Sequence, residues 1–576
     1  MGQPDVIEVS PDQSGPAGIM TPVLSRTVSP FAVDDTAHVQ NEAIPERTFV
    51  RKAAILLALY LSLFVAALDQ MITATAIPTI SSHLHSASGY SWVGGAYLLA
   101  NAAAGPLWAK TSDIWGRKPG LLGAVALFFV SSIIAAASAS MSMLIAARAL
   151  QGVAGGGIIQ LVYIVISDVW SMRRRALILG SIETMWALAS GVGPLLGGVF
   201  TQLATWRWIF WVNLPISGIA MVLILLFLDV HNPRTRLFDG VRAIDWFGTF
   251  SMLGVTLMIL LGLNFGGVTF PWNSATVICL LVFGTLLIGF FLFSEIKLAR
   301  YPLVPLTVFN GLSSTAVFLV GFAHGIVFIG AEYYLPLFFQ SVHQASPIRS
   351  GVLILPLVLC ETASGFSTGM LMDKTGRYRE AIWVGTFLIT LGTGLYIMIT
   401  PHTPMSRILG FEVLGGLGAG FLFQSPIIAV QAVVSQADTA MATATFGFIR
   451  TTAAALSLVV GGVVFQNSMN KRVAHLGQLE GFPNWIIDAL QNGQAAAHVD
   501  VVSKIDNLEW KGMVESAFAS SLRNLWILYA CVGGAGFVMS WFVVHVKLSH
   551  EHVETRTGID NMTEKKRERN GQGAGA

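Results

Sequence analysis

Long apolar runs, separated by short polar and often basic stretches, fill most of this 576-residue chain. Fourteen runs are long enough to cross a hydrocarbon core of ~30 Å, which takes ~20 helical residues. Their limits are 53–76, 91–110, 119–139, 143–166, 176–200, 208–229, 246–266, 276–294, 314–338, 349–371, 381–400, 408–430, 439–465 and 524–546. Glycine and proline interrupt the fifth run near Gly191–Val199, which membrane helices tolerate. The pattern predicts an all-α integral membrane protein. A charged five-residue elbow punctuates it twice, as Asp113-Ile-Trp-Gly116-Arg117 before the third run and Asp373-Lys-Thr-Gly376-Arg377 before the eleventh. Gly152 and Gln160 on the fourth run are echoed, at the same spacing, by Gly416 and Gln424 on the twelfth. With runs 7 and 8 set aside as an insertion, runs 1–6 and 9–14 become two equivalent six-helix halves, a 6 + 2 + 6 scheme. Duplicated bundles of this kind are typical of secondary transporters.

The domain plan follows. A cytosolic tail occupies 1–46, the first half 47–229, the inserted pair and its linkers 230–313, the second half 314–546 and a second tail 547–576. Both tails read as polar and solvated. The first lacks the apolar stretch of a signal peptide. Within the second half, 466–522 reads as an outer loop. Its stretches Trp485–Leu490 and Met513–Leu522 are either amphipathic helices over the outer face or parts of an ordered loop.

Composition agrees with the pattern. Charged residues are 11% of the chain and hydrophobic ones 54%, where a soluble domain carries about 25% charged residues. The net charge of +2 resides in loops and gives no sign of nucleic-acid binding. Cys279, Cys360 and Cys531 all fall inside apolar runs, with no disulfide framework and no metal spacing. No nucleophile motif and no cofactor motif is visible, so an enzyme is not expected. Lysine and arginine set the orientation: fourteen lie in the loops on one side against three, Arg207, Arg349 and Arg407, in the short loops on the other. The positive side faces the cytosol, which puts both termini and both elbows there.

Seven charges interrupt the apolar runs: Asp69, Arg148, Glu183, Glu332, Glu361, Glu412 and Arg450. Charges at membrane depth are costly and usually functional. At 1.5 Å per residue, Asp69 lies ~10 Å and Arg148 ~8 Å below the outer ends of their runs, so the two can pair. Gln151 shares the face of Arg148. Such a pair either exchanges a proton or only ties helices together, and the same choice is open for each glutamate. On the fifth run, Gly180, Ala189, Gly193-Pro194 and Gly197-Gly198 form a small-residue stripe with a kink, suited to close helix contact.

These residues resemble a known family. Leu68-Asp69-Gln-Met-Ile-Thr-Ala-Thr-Ala-Ile-Pro78, the Asp113–Lys118 elbow, Arg148-Ala-Leu-Gln151-Gly152, the stripe on the fifth run and Trp206-Arg207-Trp-Ile-Phe-Trp-Val-Asn213-Leu-Pro215 are similar to motifs of the fourteen-helix drug:H+ antiporter branch of the major facilitator superfamily. Within that branch the chain resembles fungal multidrug and secondary-metabolite efflux pumps. Leu335-Pro336-Leu-Phe-Phe-Gln340, Ser346-Pro347 and Ser350-Gly351 carry the likeness into the second half. Met71, Ala109 and Ala189 stand where the family often has threonine, glycine and glycine.

The resemblance implies a major facilitator fold and a proton-coupled exporter of amphipathic drugs, toxins or secondary metabolites. Asp69 and Arg148 match proton-coupling positions. Asp113, Gly116, Arg117 and Asp168 match a cytoplasmic gate, repeated in part by Asp373 and Arg377. Gly193, Pro194, Gly197 and Gly198 match the antiporter motif. A central cavity is expected to draw on Gln151, Glu332, Tyr333, Glu361, Glu412 and Arg450. The expected partners are the lipid bilayer, protons and a small amphipathic substrate, with no cofactor, no metal and a monomeric chain, in the plasma membrane or else the vacuolar membrane. Uptake of a siderophore, vacuolar transport of basic amino acids, or a non-transporting membrane sensor are the alternatives.

Overall fold

The computed structural model describes residues 48–84, 89–233, 235–266, 270–304, 306–434, 438–491, 495–496, 498–548 and 557–559. The tail at 1–46 lies outside the described residues. The apolar runs form α1 (Phe49–His83), α2 (Gly89–Trp115), α3 (Arg117–Ala136), α4 (Met141–Val169), α5 (Met172–Leu203) and α6 (Asn213–Phe227). They continue as α7 (Trp246–Phe265), α8 (Ala275–Phe293), α9 (Leu312–Ser341) and α10 (Leu355–Thr375), and end with α11 (Arg379–Tyr396), α12 (Met405–Val433), α13 (Thr439–Leu476) and α14 (Leu508–Ser540). Among the described residues, twelve helices are long and apolar enough to cross a membrane. α2 and α11 fall outside that set: α2 carries Lys110 and Asp113, and α11 opens on Arg379-Glu380.

Two boundaries differ from the sequence expectation. Met513–Leu522 is not an outer-face element of its own but the beginning of α14, and α13 runs on past the expected end of its run. Val514, Ala517, Phe518, Ser521 and Leu522 recur at helical spacing and are buried. The Phe465 and Phe518 rings stand 6.0 Å apart, and Ser521 reaches Met469 Sδ at 3.7 Å. Each extension therefore covers the apolar face of the other. Trp485–Leu490 does lie in a short helix, Asn484–Leu490.

Packing repeats along the chain. α1 packs on α5 and α6 as α9 packs on α13 and α14. α2 packs on α4 as α10 packs on α12, and α3 on α4 and α6 as α11 on α12 and α14. The two sets meet through α2–α13, α5–α10, α4–α13 and α5–α12. α7 and α8 pack on each other, and α7 lies against α2 and α13.

The glycine echo has a packing cause. A Cβ on Gly152 would stand 2.9 Å from Tyr97 Cα, and one on Gly416 would stand 3.0 Å from the Leu357 carbonyl carbon. Both glycines let the fourth helix of a set touch the backbone of the second. Valine at Gly152 or Gly416 is expected to cut the yield of monodisperse, detergent-solubilised protein severely. Alanine at Gly394, where a Cβ meets nothing within 4 Å, is expected to leave it unchanged in the same size-exclusion measurement.

Candidate functional site

The first polar centre lies inside the first set of helices. Asp69 is fully buried on α1 and pairs with Arg148 Nη1 of α4 at 2.5 Å. Arg148 Nη1 also donates to Gln151 Oε1 at 2.9 Å, and its Nε to Val93 O at 3.1 Å. Asp69 Oδ1 accepts from Asn213 Nδ2 at 2.8 Å and from Gln151 Nε2 at 3.3 Å. Gln151 Nε2 donates on to Ser132 Oγ at 2.9 Å. The guanidinium carbon lies 4.6 Å from the Tyr97 ring centre, where the ring face adds attraction for the cation. Five helices thus meet at one ion pair. A buried pair survives only when its remaining donors and acceptors find partners, and this one is largely saturated. Gln151 belongs to this closed centre and not to a cavity shared between the sets: its place three residues after Arg148 turns it toward α1 and α3. Sequence reasoning missed Asn213 and Ser132. The motif stretch containing Asn213 was the only signal for either.

The stripe on α5 lies against α1 just beyond this centre. A Cβ on Gly193 would stand 2.6 Å from Met71 Cβ, and one on Gly197 would stand 2.9 Å from Ile72 O and overlap Thr75 Oγ1. Gly198 meets nothing within 4 Å, and α5 continues without a break through Pro194. Two of the four motif residues therefore set the α1–α5 distance. Gly197→Val is expected to reduce flux at least tenfold, a loss of the size a misplaced site brings, while Gly198→Ala stays close to wild type. Comparison of initial rates at equal protein in vesicles decides this.

The second polar centre lies where the two sets meet. Gln424 Nε2 of α12 donates to Glu183 Oε1 of α5 at 2.8 Å. Glu332 of α9 and Glu361 of α10 are close enough to Glu183, and Glu361 to Glu332, for like-charge repulsion. Arg450 of α13 faces Glu183 and Tyr163, donates to Phe423 O at 3.4 Å, and lies 5.5 Å from the Phe423 ring centre. His324 and Phe328 complete an aromatic wall with Phe423, at 4.8 and 5.0 Å between ring centres. Gln160 of α4 fills the space beside Gly447 of α13, so each glutamine of the echo reaches across to the opposite set.

Of the residues expected to line a cavity, Glu332, Glu361 and Arg450 gather here. Tyr333 is 58% exposed and packs edge-on against Tyr334 at 5.0 Å, about 100° round the helix from Glu332. Glu412 is buried between α11 and α12, near Tyr396, and among the described residues neither of its oxygens has a hydrogen-bond partner. The echo aligns it with Arg148, so it belongs to the interior of the second set. Glu183 is the central residue that sequence reasoning named as a membrane charge without assigning it a place.

The elbows form the third centre. Arg117, 1% exposed, pairs with Asp113 at 2.5 Å and with Asp168 at 2.7 Å, and donates to Ser112 Oγ at 2.8 Å. Gly116 has φ +99°, which favours glycine, and a Cβ there would reach Pro233 at 3.0 Å. The second elbow is built differently. Arg377 is exposed and only 4.0 Å from Glu380, while Asp373 pairs at 3.4 Å with Arg174 of the first set. Arg175, buried next to it, donates to Gln431 Oε1 of α12 at 3.1 Å. At this end of the bundle the two sets are held together.

Relatives place this architecture. The description Major Facilitator Superfamily matches residues 59–458. Efflux pump dotC of Dothistroma septosporum is 43% identical over 508 residues, covering 88% of this chain and 87% of that protein. MFS-type transporter ppz2 of Metarhizium majus is 42% identical over 96% of this chain and 94% of its own length. Efflux pump FUS6 of Gibberella fujikuroi is 33% identical over 89% and 93%. Among solved structures, the proton:xylose symporter XylE shares the fold with a TM-score of 0.53 at 13% identity, covering 89% of this chain and 98% of that one. The human organic anion transporter MFSD10 does so with a TM-score of 0.51 at 15% identity, covering 84% and 98%. With its repeated helix packing, its buried charge centres and these relatives, the chain is a membrane transporter, not an enzyme, and belongs to the Major Facilitator Superfamily.

Proposed function

We propose that the chain is a proton-coupled antiporter that exports amphipathic small molecules by alternating access. Its fourteen spans are arranged 6 + 2 + 6, with both termini and both elbows in the cytosol. The central centre carries the reading. Glu183 faces the Arg450 guanidinium at the junction of the two sets, and Glu332 and Glu361 crowd Glu183 from α9 and α10. Three carboxyls against one cation leave an excess that a buried site must neutralise. A proton or a cationic group of the substrate does so, and the two compete for the same carboxyls. Competition for one site that faces each side of the membrane in turn is what couples opposite fluxes. The neighbouring rings of His324, Phe328 and Phe423 suit the apolar part of an amphipathic substrate.

The repeated packing supports the 6 + 2 + 6 scheme, with α7 and α8 as the inserted pair. Closure at the elbow end, with the charge bias of the loops, corresponds to an outward-facing state. The relatives named as efflux pumps support export over uptake. A monomer in the plasma membrane completes the reading.

The test is flux in proteoliposomes under an imposed pH gradient, with amphipathic dyes of both charge signs as substrates. Export should follow the gradient in wild type. In Glu183→Gln it should fall at least tenfold, about 1.4 kcal/mol or more in the barrier. Gradient-independent transport in wild type would overturn the antiport reading, and unchanged coupling in Glu183→Gln would remove the central centre from it.

A further inference from the structure

The C-terminal segment was expected to be solvated from about Lys547. Its described residues are instead docked on both elbows. After α14 the chain runs along the elbow end. Tyr378 Oη donates to Val544 O at 2.8 Å and accepts from Val546 N at 3.0 Å. Leu548 is 2% exposed. Its N–H donates to Gly376 O of the second elbow at 3.3 Å, and its carbonyl accepts from Arg173 Nε of α5 at 3.2 Å. One backbone unit is therefore bonded to both sets at once. Gly376 has φ +71°, and a Cβ there would lie 2.6 Å from Arg173 Nη2, so the glycine leaves the passage that Arg173 uses.

Residues 557–559 dock on the first elbow. Gly558 N donates to Asp113 O at 2.8 Å, and Asp113 is itself a partner of Arg117. Thr557 N donates to His231 Nδ1 at 3.2 Å, and Thr557 Oγ1 donates to His231 O at 3.3 Å. Ile559 packs against the apolar cluster of Ile114, Ala243, Ile244 and Tyr301. Gly558 has φ +117°, and a Cβ there would meet Pro233 at 2.6 Å. The backbone at this position admits only glycine, because both the conformation and the space exclude a side chain.

We infer that the elbow end is a docking surface for the chain's own C-terminal segment, and that the segment clamps the two halves together in the elbow-closed state. The surface at Leu548 exists only while Arg173 and Gly376 are neighbours. Docking there stabilises the closed state, and opening requires release. The clamp rests on the alternating-access reading and adds a regulator to it: whatever competes for the segment favours opening.

The test uses the full-length chain with Cys279, Cys360 and Cys531 replaced by serine. Spin labels at Pro119→Cys and Lys374→Cys report the distance between the elbows. Two separations in the otherwise unaltered chain would establish alternating access; a single one under all substrate and pH conditions would overturn that reading and the clamp with it. Given two, Gly558→Leu and Thr557→Val should each enlarge the wider population several-fold, the scale set by losing one or two hydrogen bonds. An unchanged distribution in both variants would overturn the clamp while leaving alternating access intact. As a second measurement, Arg173→Cys/Leu548→Cys joined by a short bifunctional thiol reagent should stop transport, with either single variant still active after the same treatment. Full transport by the cross-linked protein would also overturn the clamp.

Discussion

Arg148→Ala is expected to abolish transport and to destabilise the protein by about 3–5 kcal/mol, the cost of leaving a buried partner without its counter-charge. Asp69 would keep the hydrogen bonds from Asn213 and Gln151 but lose its ion pair with Arg148. Asp69→Asn should retain part of this support, because its single amide oxygen can still accept from Asn213 and Gln151 in the Oδ1 position, while the Oδ2 contact with Arg148 is lost. It should nevertheless be inactive if Asp69 exchanges a proton, because an amide has none to exchange. The double variant Asp69→Asn/Arg148→Met removes both charges and should recover much of the stability without recovering flux. Thermal unfolding in detergent and gradient-driven flux, measured on all three variants, separate the two roles. With Arg148→Met as the matching single variant, stability losses that add in the double variant would show that the pair is not coupled. Transport by the double variant would reduce it to a tie between helices.

Arg117→Ala should produce the second large effect, and Arg377→Ala almost none. Arg117 sits between Asp113 and Asp168 with almost no exposure, so its removal leaves two carboxylates facing each other across the α2–α4 contact. Arg377 has 66% of its side chain exposed and lies 4.0 Å from Glu380, and such surface pairs are worth ~0–1 kcal/mol. Arg117→Lys should rescue only in part, because a point charge on a flexible stem cannot serve two carboxylates as a planar fork does. Thiol labelling of Ala440→Cys, buried at the elbow end of α13, should rise several-fold in Arg117→Ala and remain at the wild-type level in Arg377→Ala. Equal labelling in the two variants would remove the gate from the first elbow.

The asymmetry of the elbows is legible in the sequence, because no aspartate equivalent to Asp168 ends the twelfth run. So are the class of the protein, the helical runs, the duplicated elbow and the pairing of Asp69 with Arg148. Each depends on periodicity, local charge or depth in a slab of known thickness, and these are properties of the chain taken in order. Other features depend on which way a helix is turned and on what stands opposite. Gln151 and Glu412 lie on helices expected to face a cavity, yet each is rotated into the interior of its own half. Glu183 gains its meaning from Gln424, 241 positions away, and Asp69 its second support from Asn213, 144 positions away. Met513–Leu522 is the start of a membrane-length helix because α13 overhangs far enough to cover it. The docking of Leu548 needs Arg173 and Gly376 side by side, a coincidence of two loops from different halves. Rotation, overhang and cross-half contact come from packing, where one backbone touches another, and a linear pattern of apolar residues is the same for every rotation that keeps a helix in lipid.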